Sequence, residues 1–169
     1  MFYDKVIVMK VAIIADIHDN LPNLQTCIDQ CKKSGIENII CCGDVTNKET
    51  LQLMSENFPG KIMLVRGNVE IFEDEDLEEC LNIECGGRVG SWEIDGKIAG
   101  ACHEPFLIDK VLEKWSCEIV FYGHTHKPWE EERGGTRIIN PGTLGGVFYR
   151  PTYAVWDTQT GEMELKFVG

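Results

Sequence analysis

Three apolar segments of strand length, separated by two amphipathic helical patterns, fill the first half of the chain. The apolar segments run from Val6 to Asp16, from Asn38 to Asp44 and from Lys61 to Asn68. Strands that are apolar throughout are typical of parallel sheets covered on both faces, with the intervening helices as crossovers. The first half of the chain therefore predicts βαβ units in an α/β fold.

Each of the two helical patterns carries a start signal. In the first, Asn20 is a suitable N-cap, apolar residues follow at helical spacing, and Gly35 is expected to end the helix. The second opens with Thr46 and Glu49, which have the spacing of a capping box. After the third apolar segment, the acidic stretch Glu70 to Cys80 is expected to form a solvated short helix or loop.

The second half of the chain predicts a more antiparallel arrangement. Residues 90–104 have the pattern of a β-hairpin with Asp95 and Gly96 at its turn. A short helix is expected at residues 109–115. Three further strand segments follow, at residues 117–126, 136–142 and 152–168, the last with a hairpin loop from Asp157 to Gly161.

Neither a repeat nor a low-complexity linker divides the chain, so we expect one domain over residues 1–169. Residues 1–8 are interpreted as a leader to the first strand, with Met9 as an alternative start. The amino-terminal segment lacks the layout of a signal peptide, which makes the cytoplasm the expected location.

The formal net charge of −12 limits the class of partner. An acidic surface repels nucleic-acid backbones and anionic lipids, so neither a polymeric nucleic acid nor a membrane is expected as a partner. An anionic small-molecule substrate would need local positive charge at its site, and a metal cluster would supply it. The oligomeric state is open, and a homo-oligomer is compatible with the sequence.

The eight cysteines are predicted to be buried and free. The chain contains no C-x-x-C pair, and its length and apolar content make disulfide staples unnecessary. Cys41 and Cys42, for example, lie inside an apolar segment, where cysteine behaves as a small hydrophobe.

Side chains with metal-binding chemistry follow five of the apolar segments. Ligands of α/β sheets gather outside the carboxyl ends of strands, so these side chains are expected to meet. A mixture of imidazole, carboxylate and amide groups suits Mn, Fe, Zn or Ni. Seven such groups are too many for one ion, and a single bridging carboxylate would divide them into two sites of four. They include all four histidines of the chain and are Asp16, His18, Asp44, Asn68, His103, His124 and His126.

Glycines 43, 67 and 123 directly precede three of these groups and are expected to let the backbone turn sharply at the strand ends. In order, the motifs read D-x-H, GD, GN, a later His and GHTH. Together they resemble the calcineurin-like metallophosphoesterases, and the overall size and the INPGT segment at residues 139–143 are similar to the small prokaryotic and archaeal phosphodiesterases.

This resemblance covers the chain from about residue 9 to the carboxyl terminus, and it implies a sandwich of two mixed β-sheets flanked by α-helices. It also implies two divalent cations per chain, Mn²⁺ first and Ni²⁺, Zn²⁺ or Fe as alternatives. Asp44 would bridge them, and a hydroxide between the two metals would attack phosphorus. Asn68, His103 and His124 are predicted to be catalytic. The first metal would be held by Asp16, His18 and His126, the second by Asn68, His103 and His124.

The expected activity is hydrolysis of small phosphodiesters. A phosphomonoesterase with the same site and a non-catalytic scaffold of the same fold are the alternatives. All four histidines are assigned to metals, so Glu70, Glu104 or a water molecule would have to protonate the leaving group. A surface role is favoured for both carboxylates.

Four further residues have weaker signals. Arg66 could contact phosphate, although a structural pair is favoured. Asn140 and Thr143 are expected to shape a loop at the rim of the site. Trp129 is close enough in sequence to flank its mouth, although ordinary packing is favoured for this side chain.

Overall fold

The computed structural model describes residues 9–169. The predicted leader, residues 1–8, lies outside the described residues. The elements in chain order are β1 (Lys10–Ile14), α1 (Leu21–Lys33), β2 (Asn38–Cys41), α2 (Lys48–Asn57), β3 (Lys61–Leu64), α3 (Asp74–Glu78), β4 (Ile83–Cys85), β5 (Val89–Ile94), β6 (Lys97–Cys102), α4 (Ile108–Lys114), β7 (Ile119–Phe121), β8 (Trp129–Arg133), β9 (Thr136–Asn140), β10 (Thr152–Asp157) and β11 (Met163–Phe167).

The first sheet has six strands in the order β11-β10-β1-β2-β3-β4. Strands β1 to β3 are parallel, as the apolar segments predict, and β4, which the sequence does not predict, adds a fourth parallel strand. Strand β10 returns from the carboxyl-terminal region and pairs antiparallel with β1. The predicted final hairpin is confirmed, because β10 and β11 pair in antiparallel register around residues 158–162.

The second sheet has five strands in the order β5-β6-β7-β9-β8. Strands β5 and β6 form the predicted hairpin, and both turn residues, Asp95 and Gly96, have positive φ angles of 52° and 74°. Strands β6, β7 and β9 run parallel to one another. This sheet is therefore mixed and less antiparallel than the sequence pattern suggests.

The helices lie where the sequence predicts them, but only one of the two predicted N-terminal caps is present. At α1, the side chain of Asn20 accepts a hydrogen bond from the Asn23 amide, as predicted. At α2 the predicted capping box is wrong: the N-cap is Asn47, and Thr46 lies outside the helix at a φ of 88°. A capping box occurs instead at α3, where Glu73 and Asp76 exchange side-chain-to-backbone hydrogen bonds.

The core between the two sheets comes from their inward-facing side chains. Ile13 and Ile40 of the first sheet pack in one cluster with Trp92 and Phe121 of the second. A second cluster lies on the outer face of the first sheet, under α1 and α2, and a third lies beneath α4. The two sheets are therefore fixed against each other, which brings their strand ends to a common edge.

All eight cysteines are free, and seven of them are buried, as predicted; Cys85 is partly exposed. No helix between residues 9 and 169 has both the length and the apolar character that a bilayer crossing requires.

Candidate metal centre

The carboxyl ends of five strands meet where the two sheets come together. The loops that follow β1 and β2 are joined by hydrogen bonds from the Asp16 amide to the Gly43 carbonyl and from the His18 amide to the Asp44 carbonyl, each 3.0 Å long. The loops that follow β6 and β7 are joined by a hydrogen bond from the Gly123 amide to the His103 carbonyl. The seven side chains predicted as ligands consequently form one connected cluster.

Backbone conformation at this edge is unusual. Five of the seven candidate ligands have φ angles between 48° and 69°, in the left-handed region that non-glycine residues seldom occupy. Conformations of this kind concentrate at functional sites, where surrounding structure holds them in place. The five residues are Asp16, His18, Asp44, His124 and His126.

The glycines before the ligands act in two ways. Gly43 has a φ of 91° and provides the sharp turn that the sequence predicts. Gly67 has no positive φ; its role is steric, because a Cβ atom there would lie 2.0 Å from Oδ1 of Asp44. At Gly123 a Cβ atom would lie 2.9 Å from Oδ2 of Asp16. The expectation of a sharp turn is therefore correct for Gly43 only, and the other two glycines make room for carboxylates.

Asp16, His18 and His126 form the first group of converging ligand atoms. Oδ1 of Asp16 lies 3.6 Å from Nε2 of His18 and 3.2 Å from Nε2 of His126. The two imidazole Nε2 atoms are 3.2 Å apart. These are the three side chains that the family resemblance assigns to one metal.

The second group is centred on Asp44 and His103, and Asp16 also belongs to it. Oδ2 of Asp44 lies 3.1 Å from Nε2 of His103 and 3.7 Å from Nε2 of His18, so this carboxylate contacts both groups. Oδ1 of Asp16 is also near both groups, at 3.8 Å from Nε2 of His103. The geometry offers Asp16 as a second carboxylate between the groups, which the sequence does not predict.

Asn68 and His124 complete the cluster on its exposed side. Oδ1 of Asn68 is 3.0 Å from Nδ1 of His124, whose ring packs edge-on against that of His103 with centroids 5.2 Å apart. Both backbone amides, of Asn68 and of Val69, donate to Oδ1 of Asp44. The loop after β3 therefore orients Asp44 while it presents the Asn68 amide group.

The hydrogen bonding around the cluster fits metal ligands. Nδ1 of His103 lies 2.7 Å from the Cys42 carbonyl and Nδ1 of His126 lies 3.2 Å from the Val147 carbonyl, so each Nδ1 carries the proton and each Nε2 presents a lone pair. Nε2 of His103 and Oδ1 of Asp16 are buried without a hydrogen-bond partner. Buried lone pairs that face one another without a donor suit a cation.

The electrostatics of the same atoms agree with this interpretation. The neighbouring Asp16 carboxylate raises the pKa of His18 above its usual value, and the charge of Asp44 adds to this effect. Burial by itself disfavours the charged form of His103, but Asp44 and Asp16 outweigh burial and raise the pKa of this imidazole. Burial is the largest effect on Asp44 and opposes its ionisation, but His103, the Val69 amide and His18 together outweigh burial and lower the pKa of this carboxyl. The carboxylates thus favour positive charge among them.

Glu70 stabilises the loops that carry the candidate ligands, a role that the sequence does not predict. Its carboxylate accepts hydrogen bonds from the backbone amides of Val45, Thr46 and Gly67. It therefore ties the loop after β2 to the loop after β3. The charge pattern of the sequence could not reveal this, because Glu70 begins an acidic stretch that is otherwise solvated.

The favoured surface role is also wrong for Glu104, which is 4% exposed. Its Oε1 pairs with the Arg88 guanidinium, and its Oε2 is buried without a hydrogen-bond partner. Arg66, in contrast, has the predicted structural role: it donates hydrogen bonds to Asp74 and to the Phe72 carbonyl.

Asn140 and Thr143 hold the loops around the centre, as expected, but from buried positions and not at the rim. Asn140 donates to the Gly123 carbonyl and to Thr125, and Thr143 donates to the Asp16 carbonyl. Half of the Trp129 side chain is exposed, and this residue lines a cavity.

The family sequence model described as calcineurin-like phosphoesterase superfamily domain matches residues 9–161. The chain belongs to this family. Phosphodiesterase MJ0936 of Methanocaldococcus jannaschii is 26% identical over 167 residues, which cover 91% of this chain and 96% of the relative. Phosphodiesterase YfcE of Escherichia coli K12 is 24% identical over 159 residues, covering 80% of this chain and 79% of the relative.

Among solved structures, a novel archaeal phosphodiesterase superposes with a TM-score of 0.84 at 28% identity, covering 94% of this chain and 99% of that one. The fold implied by the sequence motifs, two mixed sheets flanked by helices, is thereby confirmed. Family and relatives together support a metal-dependent phosphoesterase.

Proposed function

We propose that this chain is a phosphodiesterase that hydrolyses small phosphodiesters with the help of two divalent cations, Mn²⁺ being the preferred metal. One observation carries the proposal: ligand atoms from four strand ends converge in two groups that share Asp16, and two of these atoms, Oδ1 of Asp16 and Nε2 of His103, are buried without a hydrogen-bond partner. Relatives named phosphodiesterases, matched over most of their length, support the reaction class.

Asp16, His18 and His126 would hold the first cation, and Asn68, His103 and His124 the second. Asp44 is the proposed bridge, because its Oδ2 lies within 3.7 Å of an imidazole from each set. When bound, such cations neutralise charge on the phosphoryl oxygens and lower the pKa of a water molecule.

The exposure of each side chain in the centre indicates whether it holds the geometry or faces the substrate. His103 and Asp16 are fully buried and fix the geometry from within. Asn68 and His124 are exposed, so they face an arriving phosphate. The amide of Asn68 is neutral, and it therefore contributes an oxygen without repelling an anionic substrate. The overall charge of −12 favours a small substrate over a polymeric nucleic acid.

The proposal is tested by hydrolysis of bis(4-nitrophenyl) phosphate after metal removal and reloading with Mn²⁺, Ni²⁺ or Zn²⁺. We expect turnover that depends on added metal and falls by at least about 100-fold in Asp44→Asn, since even residues that only orient ligands cost 10–100-fold. Asp109→Asn is the matched control, because this exposed carboxylate lies on α4. Bound metal without turnover under any of the three ions would overturn the proposal and favour a scaffold.

A further inference from the structure

A cavity of about 360 Å³ lies beside the loop that carries His124 and His126. Its volume falls within the range of about 300–1,000 Å³ that is typical of small-molecule sites. Three of its five lining side chains are aromatic, and a fourth is a lysine. The lining residues are Tyr122, Thr125, Lys127, Trp129 and Tyr149.

The cavity and the candidate metal centre are built from the same two loops. Thr125 lines the cavity and lies between His124 and His126 in the chain. On the second loop, the Val147 carbonyl is bonded to His126, and the next ring, Phe148, stacks on the His126 imidazole with centroids 6.0 Å apart. Tyr149 then lines the cavity. The same two loops therefore connect the candidate metal centre to the cavity.

The aromatic side chains here are exposed to an unusual degree. Trp129 is 50% exposed and Tyr149 is 45% exposed, and Phe148 is held almost fully in solvent at a φ of 65°. A bulky residue at positive φ is strained, and such strain persists where surrounding structure imposes it. Exposed aromatic groups clustered beside a polar site are typical of a ligand-binding surface.

The chemistry of the lining is specific. Nε1 of Trp129 donates a hydrogen bond to Glu131, which limits rotation of the indole. The Lys127 ammonium lies 5.5 Å from the centre of the Trp129 ring. A fixed aromatic surface with an ammonium group beside it favours a ligand that combines a planar ring with an anion.

We infer that this cavity binds the substituent that stays on phosphorus, a nucleobase or another planar aryl group, of the phosphodiester whose phosphate meets the metal centre. This inference rests on the proposed function for the position of the phosphate. Ring stacking provides the affinity and the Lys127 ammonium attracts the neighbouring negative charge. Phosphodiesters with only alkyl or sugar substituents lack the group that the cavity selects.

Binding to the metal-free protein tests the cavity apart from catalysis. Isothermal titration with adenosine 5′-monophosphate, phenyl phosphate and ribose 5-phosphate compares three ligands that carry the same phosphate group. We expect the Kd of at least one aromatic ligand to be at least about fivefold lower than that of ribose 5-phosphate. Tight binding of the adenosine compound alone indicates a nucleobase, and equal binding of both aromatic compounds indicates any aryl group.

Two variants make the binding test specific. Trp129→Ala is expected to raise the Kd for the aromatic ligands to that of ribose 5-phosphate, whereas Trp129→Phe keeps a ring and restores binding. Thermal melts of both variants check that they are folded. Equal affinity for all three ligands in the wild-type protein, or unchanged affinity in Trp129→Ala, would overturn the inference.

Kinetics with a common leaving group separate this inference from the proposed function. Bis(4-nitrophenyl) phosphate and methyl 4-nitrophenyl phosphate release the same phenol and differ in the group that stays on phosphorus. We expect KM to be at least about fivefold lower for the first, and the difference to vanish in Trp129→Ala. Turnover with equal KM values would overturn the aromatic site but not the proposed phosphodiesterase activity. Ring-selective binding without turnover would overturn the proposed phosphodiesterase activity but not the aromatic site.

Discussion

The Nε2 atoms of His18 and His126 lie 3.2 Å apart, although 108 positions separate the two residues in the chain. His18 follows β1 in the first sheet, and His126 follows β7 in the second. With Oδ1 of Asp16 close to both, lone pairs from the two sheets point at a common volume. The candidate metal centre is consequently a link between the two sheets, and its chemistry depends on how tightly the strand ends are held.

Gly67 is expected to be essential for this arrangement for steric reasons. In Gly67→Ala the new Cβ would overlap Oδ1 of Asp44, so the carboxylate must move. We predict a loss of about 1–3 kcal/mol in the free energy of unfolding, which is typical of overpacking, together with weaker Mn²⁺ binding. Urea denaturation and metal titration measure the two effects.

The matched control for this substitution is Gly134→Ala. Gly134 has a φ of 56°, but a Cβ atom there would have no neighbour within 4 Å. It is expected to cost about 1 kcal/mol from backbone strain and to leave metal affinity unchanged. Wild-type metal affinity in Gly67→Ala would contradict the steric account.

Glu70 is expected to act as a support and not as the general acid. In Glu70→Gln one carboxylate oxygen becomes an amide donor that faces backbone N–H groups, so at least one of three hydrogen bonds is lost. We predict a destabilisation of about 1–3 kcal/mol and weaker metal binding, measured by denaturation and titration. Glu78→Gln, an exposed position on α3, is the control.

A pH profile distinguishes the two roles of Glu70. If Glu70 protonated the leaving group, Glu70→Gln would abolish the alkaline limb of the rate profile at saturating metal. The structural role predicts that the limb keeps its position while the amount of metal needed for saturation increases.

The Arg88–Glu104 pair should be worth more than a surface ion pair. Removing Arg88 leaves the Glu104 carboxylate buried and unpaired, and we predict that Arg88→Ala loses about 1–3 kcal/mol of unfolding free energy. Arg133→Ala removes an arginine of similar exposure whose partners are more accessible, with an expected cost of about 0–1 kcal/mol. Equal costs in denaturation experiments would show that the burial of Glu104 has no energetic consequence.

Substrate preference should reflect the lack of a free general acid among residues 9–169. The four histidines belong to the candidate metal centre, Glu70 binds backbone amides, and Glu104 is paired with Arg88. Leaving groups that depart without protonation are therefore favoured, and an aryl diester is expected to turn over faster than an alkyl monophosphate. Comparable kcat/KM values for bis(4-nitrophenyl) phosphate and glycerol 3-phosphate would refute this expectation.

The sequence predicts the parallel half of the fold and the meeting of the seven side chains because both follow from local patterns. Continuous apolar segments specify buried strands, and parallel strands bring their carboxyl ends to one edge. The antiparallel return of β10 beside β1 depends on contacts between the two ends of the chain, which local periodicity does not report. Strand β8 is missed because its three consecutive glutamates lack alternation, and pairing with β9 stabilises it as an edge strand.

The finer structure of the site depends on tertiary contacts that override local preferences. Left-handed backbone at Asp16 or His124 is disfavoured by propensity and is imposed by hydrogen bonds between loops. The burial of Glu104 and the exposure of Trp129 reverse the usual tendencies of these residue types. Asp16 and His124 belong to the candidate metal centre and Glu104 directly follows His103, so function and not stability is expected to select these conformations.

The most direct test of the account is the number of metal ions bound per chain in three proteins, measured by equilibrium dialysis against Mn²⁺ followed by elemental analysis. The account predicts two ions for the wild type and one each for His126→Ala and His103→Ala, because the two histidines belong to different groups. A wild-type protein that binds one ion, or two histidine variants that both retain two, would contradict the division of these side chains into two metal sites.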